Sequence, residues 1–125
     1  MSFLRQLVGG VWRKHNSFLP KTITFTGQKR HLPYCSVDTN LGKAQLSPDF
    51  HIRFSKLLAR ILGKDEKLIT VSLRTDVTMC RSGTDRPNIV INIWSIGVFD
   101  EQRNPNYTNQ IYDFILPEVN IPAER

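Results

Sequence analysis

Residues 89–96, IVINIWSI, are the most apolar run of the chain, and the way they are paired decides the fold. Six of the eight are apolar and most are β-branched or aromatic, which predicts a central strand buried on both faces. Gly97 ends the run. Downstream, Pro105 or Asn106 opens a helix with Tyr107, Ile111, Phe114 and Ile115 on its core face, closing at Leu116 and Pro117. Upstream, residues 68–73, LITVSL, alternate apolar and polar and read as a second strand. A helix precedes it. Ser47 serves as N-cap, Pro48 as first helical residue, and Asp49 stands in the first turn. Phe50, Phe54, Leu57, Leu58, Ile61 and Leu62 share one face, with Arg53, Lys56 and Arg60 off it, and Gly63 stops the helix. Before that helix, residues 34–40, YCSVDTN, form a short strand ending in turn-forming residues.

The order is therefore strand, helix, strand, then strand and helix: an α+β chain in which the first unit is a right-handed βαβ crossover with parallel strands. No further strand follows the second helix before residue 125. The expectation is that residues 89–96 keep a bare apolar edge, the second helix covers half a sheet, and the chain is prone to aggregate.

The first 32 residues differ from the rest. Of 17 lysines and arginines, six lie there (Arg5, Arg13, Lys14, Lys21, Lys29 and Arg30) with no acid, and the eleven others match the eleven Asp and Glu. The net charge of +6 thus belongs to this head alone. A neutral body argues against nucleic-acid binding, which needs its basic patch on the folded domain. Within residues 1–20, Phe3, Leu4, Leu7, Val8, Val11 and Trp12 recur at near-helical spacing among Arg5, Arg13 and Lys14. Such a segment reads as a disordered extension, as a mitochondrial-type transit peptide, or as a helix on an anionic membrane surface, the only membrane contact expected. Gly9 and Gly10 weaken any helix there by roughly 1 kcal/mol each. No apolar run approaches the roughly 18 residues of a membrane span. The division expected is residues 1–32 as extension and 33–125 as domain.

Cys35 and Cys80 are too few for a disulfide scaffold and lack metal spacing, so both are expected as reduced thiols. His15, His31 and His51 stand apart, and neither a metal nor a cofactor is expected.

Pro33 followed by YCSVDTNL, then ILGKDEKLITVSL, then SGTDRPNIVINIWSIGVFDEQRNPNY, resembles the macrophage migration inhibitory factor / D-dopachrome tautomerase family. The DTNL, ILGK and SIGV wording leans toward the D-dopachrome branch. The resemblance runs from Pro33 to Arg125. It implies a tautomerase-like mixed sheet covered by two antiparallel helices, here with the last strand absent, in a homotrimer. It implies keto–enol tautomerisation of phenylpyruvate or dopachrome-type substrates, and cytokine-like binding to a cell-surface receptor. It implies a protein in the cytoplasm or secreted without a signal peptide; a mitochondrial location through the basic head is the alternative. By position, Pro33 is the catalytic base, Lys64 binds the substrate carboxylate, and Ile96 donates its backbone N–H to the substrate. The family's CxxC pair has no counterpart, since Asn88, Ile89, Val90 and Ile91 follow Pro87, and Trp94 stands at the family's histidine.

Pro33 departs from the pattern in one respect. A free N-terminal proline is a secondary amine with a pKa that starts near about 8. Preceded by Leu32, its nitrogen is a tertiary amide whose lone pair is delocalised, and it cannot take a proton. Tautomerase activity is expected only if the Leu32–Pro33 bond is cut. Otherwise the resemblance implies a catalytically silent, cytokine-like ligand or a truncated splice form.

Overall fold

The structure, a computed structural model, describes residues 3–7, 11–15, 23–26, 32–119 and 121. Eight elements follow one another: β1 (Phe3–Leu7), β2 (Val11–His15), β3 (Ile23–Thr26), β4 (Tyr34–Thr39), α1 (Phe50–Leu62), β5 (Thr70–Arg74), β6 (Ile89–Trp94) and α2 (Asn104–Val119). They form one mixed six-stranded sheet in the order β1-β2-β3-β6-β4-β5, with both helices packed on it.

β4 and β5 run parallel with α1 as the crossover, and β6 pairs antiparallel with β4 on its other side. The register places Ile91 opposite Val37 and Val37 opposite Leu73, and likewise Ile93 opposite Cys35 and Cys35 opposite Val71. Two apolar rows thus cross the sheet on the helix-covered face. Side chains alternate between the faces of a strand, so the same register puts Tyr34, Ser36 and Asp38 on the other face with Trp94, Asn92 and Val90. There Tyr34 and Trp94 hold their rings 5.2 Å apart, and Arg74 forks onto Asp38 at 2.7 and 2.8 Å. β6 is accordingly fully buried on one face only, not on both as its composition suggested.

α1 forms where the apolar spacing put it: Phe50, Phe54, Leu57, Leu58 and Leu62 are buried, and Gly63 ends it in the left-handed region at φ 64°. The start is shifted. Asp49, rather than Ser47, is the N-cap, and its carboxylate turns to Arg53 at 3.1 Å instead of capping. α2 continues past Leu116 and Pro117 to Val119. Pro117 takes its own N–H out of the helix ladder and crowds the Asp113 carbonyl one turn back. Burial of Ile115 and Val119 holds the last turn, as does Glu118, which bonds Arg53 at 2.6 and 2.9 Å and Ser47 at 3.1 Å.

The head corrects two expectations. Residues 3–7 and 11–15 are an antiparallel strand pair in register Phe3 to His15 and Leu7 to Val11, not an amphipathic helix. A helix interrupted by Gly9 and Gly10 is marginal, whereas β2 finds a partner edge in β3. Residues 23–26 are a strand of the sheet, not a disordered segment. β3 runs parallel to β6, with Ile23 opposite Ile91 and Phe25 opposite Ile93. It extends both apolar rows by one residue, and both side chains are buried, at 3% and 0% exposure. The bare edge expected for β6 is therefore occupied.

Candidate functional site

The end of α1, the starts of β4 and β5 and the end of β6 meet at one rim of the sheet, and Pro33, Lys64 and Ile96 lie there. Pro33 immediately precedes β4. It is buried, and its carbonyl accepts the Thr70 N–H at 3.2 Å, tying the heads of β4 and β5 together. Tyr34 lies opposite Trp94, so the ladder carries the residues around Pro33 past Ser95, next to Ile96.

Lys64 reaches this rim because of Gly63. A left-handed residue turns the chain back, and the Lys64 N–H donates to the Ala59 carbonyl at 3.1 Å. The ammonium Nζ then donates to the Ile96 carbonyl at 3.2 Å, across 32 residues of sequence. Lys64 and Ile96 are thus in direct contact, through the carbonyl of Ile96 rather than its N–H. The Ile96 side chain is half-exposed.

The turn carrying Ile96 is held from three sides. Gly97 follows at φ 72°, a conformation that costs a side-chain-bearing residue strain. Ahead of it, the Ser95 N–H donates to the Thr26 carbonyl of β3 at 3.1 Å. Behind it, Arg103 donates to the Gly97 carbonyl at 3.1 Å while its Nε holds Asp100 at 2.6 Å. The Arg103 backbone N–H donates to Asp100 as well, and the bonds from Arg103 hold that carboxylate below the ordinary range. Tyr107 donates its hydroxyl to the Val98 carbonyl at 2.8 Å, and burial pushes its pKa up. Sequence reasoning passed over Asp100, Arg103 and Thr26, and placed Tyr107 in the core without its bond to Val98. Asp100 was findable, since a carboxylate three residues before an arginine at a helix start is a capping signal; Thr26 was not, since nothing local ties it to Ser95.

Two surface grooves lie elsewhere. One, of about 460 Å³, runs over the helices between Arg53, Lys56, Arg60, Gln110, Asp113 and Phe114; the other, of about 380 Å³, lies between α1 and β5 beside His51, Ser55 and Glu66. Neither includes Pro33, Lys64 or Ile96.

Cys35 is buried in the core, where desolvation pushes its thiol far up, and Cys80 is exposed; both are free thiols. Among the described residues no group of three or more His, Cys, Asp or Glu is placed to hold a metal ion, and no helix is long and apolar enough to cross a membrane.

The family model for macrophage migration inhibitory factor matches residues 32–125. The chain belongs to the macrophage migration inhibitory factor family. The MIF-like protein mif-2 of Caenorhabditis elegans is 33% identical over 94 residues, 75% of this chain and 78% of that protein. D-dopachrome decarboxylase of Gallus gallus is 28% identical over 95 residues, 75% and 80% of the two chains. The macrophage migration inhibitory factor structure from Trichinella spiralis superposes with a TM-score of 0.69 at 24% identity, over 72% of this chain and 80% of that one. A homologue from Prochlorococcus marinus gives 0.64 at 27% identity, over 72% and 79%. The family match begins at residue 32, so β1, β2 and β3 lie outside it. The chain is a macrophage migration inhibitory factor-like protein whose sheet, β6 included, is completed by residues upstream of the family region.

Proposed function

We propose that the chain carries the machinery of a keto–enol tautomerase for aromatic α-keto acids of the phenylpyruvate or dopachrome type, dormant while Pro33 is acylated by Leu32. The observation that carries the reading is the Lys64–Ile96 contact at the rim where Pro33 heads β4. Three residues from three separate parts of the chain converge there. Membership of a family that includes a D-dopachrome decarboxylase supports the substrate class.

The chemistry follows from the groups. A free Pro33 amine is a secondary amine whose pKa of about 8 falls in an apolar site beside a cation, since burial and like charge both disfavour its protonated form. At neutral pH it then takes a proton alpha to the substrate carbonyl and returns it to the enol oxygen, as general base and general acid. Lys64 meets the substrate carboxylate as a point charge, releasing the Ile96 carbonyl. Ile96 N–H is the donor that orients the substrate. We take the working form as an oligomer, the homotrimer of the family being the specific expectation. A place in the cytoplasm, or outside the cell without a signal peptide, belongs to the same reading.

The amide at Pro33 favours a second reading for the uncut chain, a ligand that binds a cell-surface receptor and catalyses nothing. Mass spectrometry of the N-terminus combined with a phenylpyruvate assay separates the two. Protein with the Leu32–Pro33 bond intact is expected to be inert and protein in which Pro33 is a free N-terminus to turn over; turnover by the unbroken chain would overturn the role of Pro33. Lys64→Ala in protein cut between Leu32 and Pro33 is expected to raise KM without changing the melting temperature.

A further inference from the structure

β3 lies outside the family region, yet it is built into the sheet beside the candidate site. Phe25 is fully buried and closes a ring cluster with Phe99 at 5.0 Å and Tyr107 at 6.2 Å. Ile23 is nearly as deep, and the Thr26 carbonyl holds the Ser95 amide next to Ile96. β3 has strands on both sides, β2 and β6, so its backbone is paired along both edges.

The chain that follows β3 is also what blocks Pro33. Thr26 and Tyr34 both lie opposite Trp94, one on each side of β6. The segment that supports the site and the bond that silences it therefore stand at the same rim. Removing residues 1–32 outright would free the proline nitrogen but strip β6 of its neighbour and open the Phe99–Tyr107 cluster to water. Cutting one bond would not.

We propose that residues 1–32 are a pro-segment that is clipped but retained: hydrolysis of the Leu32–Pro33 bond arms the site while β3 stays in the sheet as a non-covalent strand. The arming half rests on the tautomerase reading; the retention half does not. One water is consumed. The bond between the Leu32 carbonyl carbon and the Pro33 nitrogen breaks, the water oxygen remains on Leu32 as a carboxylate, the nitrogen gains one proton as a secondary amine, and the second proton passes to solvent. The agent is an endopeptidase that accepts proline after the scissile bond. Leu32 is 49% exposed and open to it, whereas Pro33 is buried and stays anchored through Thr70 after the cut.

The test uses the full chain with residues 27–32 replaced by the site of a sequence-specific protease that cuts before Gly-Pro. After folding, the protease nicks the chain, and an X-Pro aminopeptidase then removes the single glycine. Residues 1–26 are expected to co-elute with residues 33–125 after the nick, at an unchanged melting temperature. Phenylpyruvate turnover is expected to rise by at least about 10²-fold after the second step, the scale of a positioned general base. Release of the upstream segment with residues 33–125 still folded, or precipitation on nicking, would overturn retention. Retention without turnover would overturn the arming step and the tautomerase reading while leaving the strand role intact. In the uncut natural chain, Phe25→Asp is expected to lower the melting temperature sharply; an unchanged value would overturn the strand role itself.

Discussion

β3 and β5 flank the same antiparallel pair, β4 and β6, and they invert the relation between sequence signal and burial. β5 is announced by clean alternation and a βαβ context, yet it is an edge strand, its residues half-buried or exposed. β3 is four residues within an acid-free head, and it contributes a fully buried phenylalanine and a nearly buried isoleucine. Alternation reports that one face of a strand meets a core. It is silent on whether the strand is central or peripheral, because that depends on which other edges are free.

The largest test of this contrast is a proline in each strand. Thr24→Pro must lose a ladder hydrogen bond, since β3 is paired on both sides. It is expected to eject the strand and leave aggregating or largely unfolded protein by circular dichroism and gel filtration. Val71→Pro is expected to leave the fold intact. The Thr70 N–H points to β4, so that of Val71 points out from the edge. Comparable damage from both would show that β3 is not interior.

Truncation gives the next effect. Phe25→Ala removes a fully buried ring and is expected to cost about 3–5 kcal/mol. Leu73→Ala in half-buried β5 should cost roughly 1–2 kcal/mol, below the range for full burial. Urea midpoints of the two variants, with equal slopes, provide the comparison. A smaller cost at Phe25 than at Leu73 would reverse the assignment of interior and edge.

Smaller again is the tie between the loop ahead of α1 and the end of α2. Glu118 is held below its ordinary pKa chiefly by the hydrogen bonds from Arg53, with Ser47 contributing. A depressed folded pKa means that its stabilisation is present above the unfolded value of about 4.3 and is lost as pH falls through the folded one. Melting temperature should therefore fall on acidification below about pH 5, and Glu118→Gln should flatten that part of the profile. The effect should shrink in high salt, because the pair is partly exposed. An identical acid profile in the variant would show that the bridge contributes nothing.

Much of the fold was legible along the chain. Phe50 to Leu62 at helical spacing, stopped by Gly63, and the alternation of residues 68–73 describe the βαβ unit without reference to anything distant, because periodicity and capping act within a few residues. The family wording brought Pro33, Lys64 and Ile96 into view one by one. Their meeting was not legible: a carbonyl contact across 32 residues exists only once α1 has turned back at Gly63 and β6 has ended beside β4. The run through Pro117 was misread for a similar reason. Its local signal says stop, while burial of Val119 and the Glu118–Arg53 pair act from outside the helix.

The head shows the limit most plainly. Its charge, its lack of acids and the amide that joins Leu32 to Pro33 are covalent facts, readable from residue order alone. Its strand role arises elsewhere: Ile23 and Phe25 become core because β6 offers an unpaired edge, with Ile91 and Ile93 in register and Phe99 and Tyr107 beyond. Four residues do not hold a strand by themselves. The partner edge supplies the hydrogen bonds and the burial that offset their lost freedom, and that edge exists only in the folded chain.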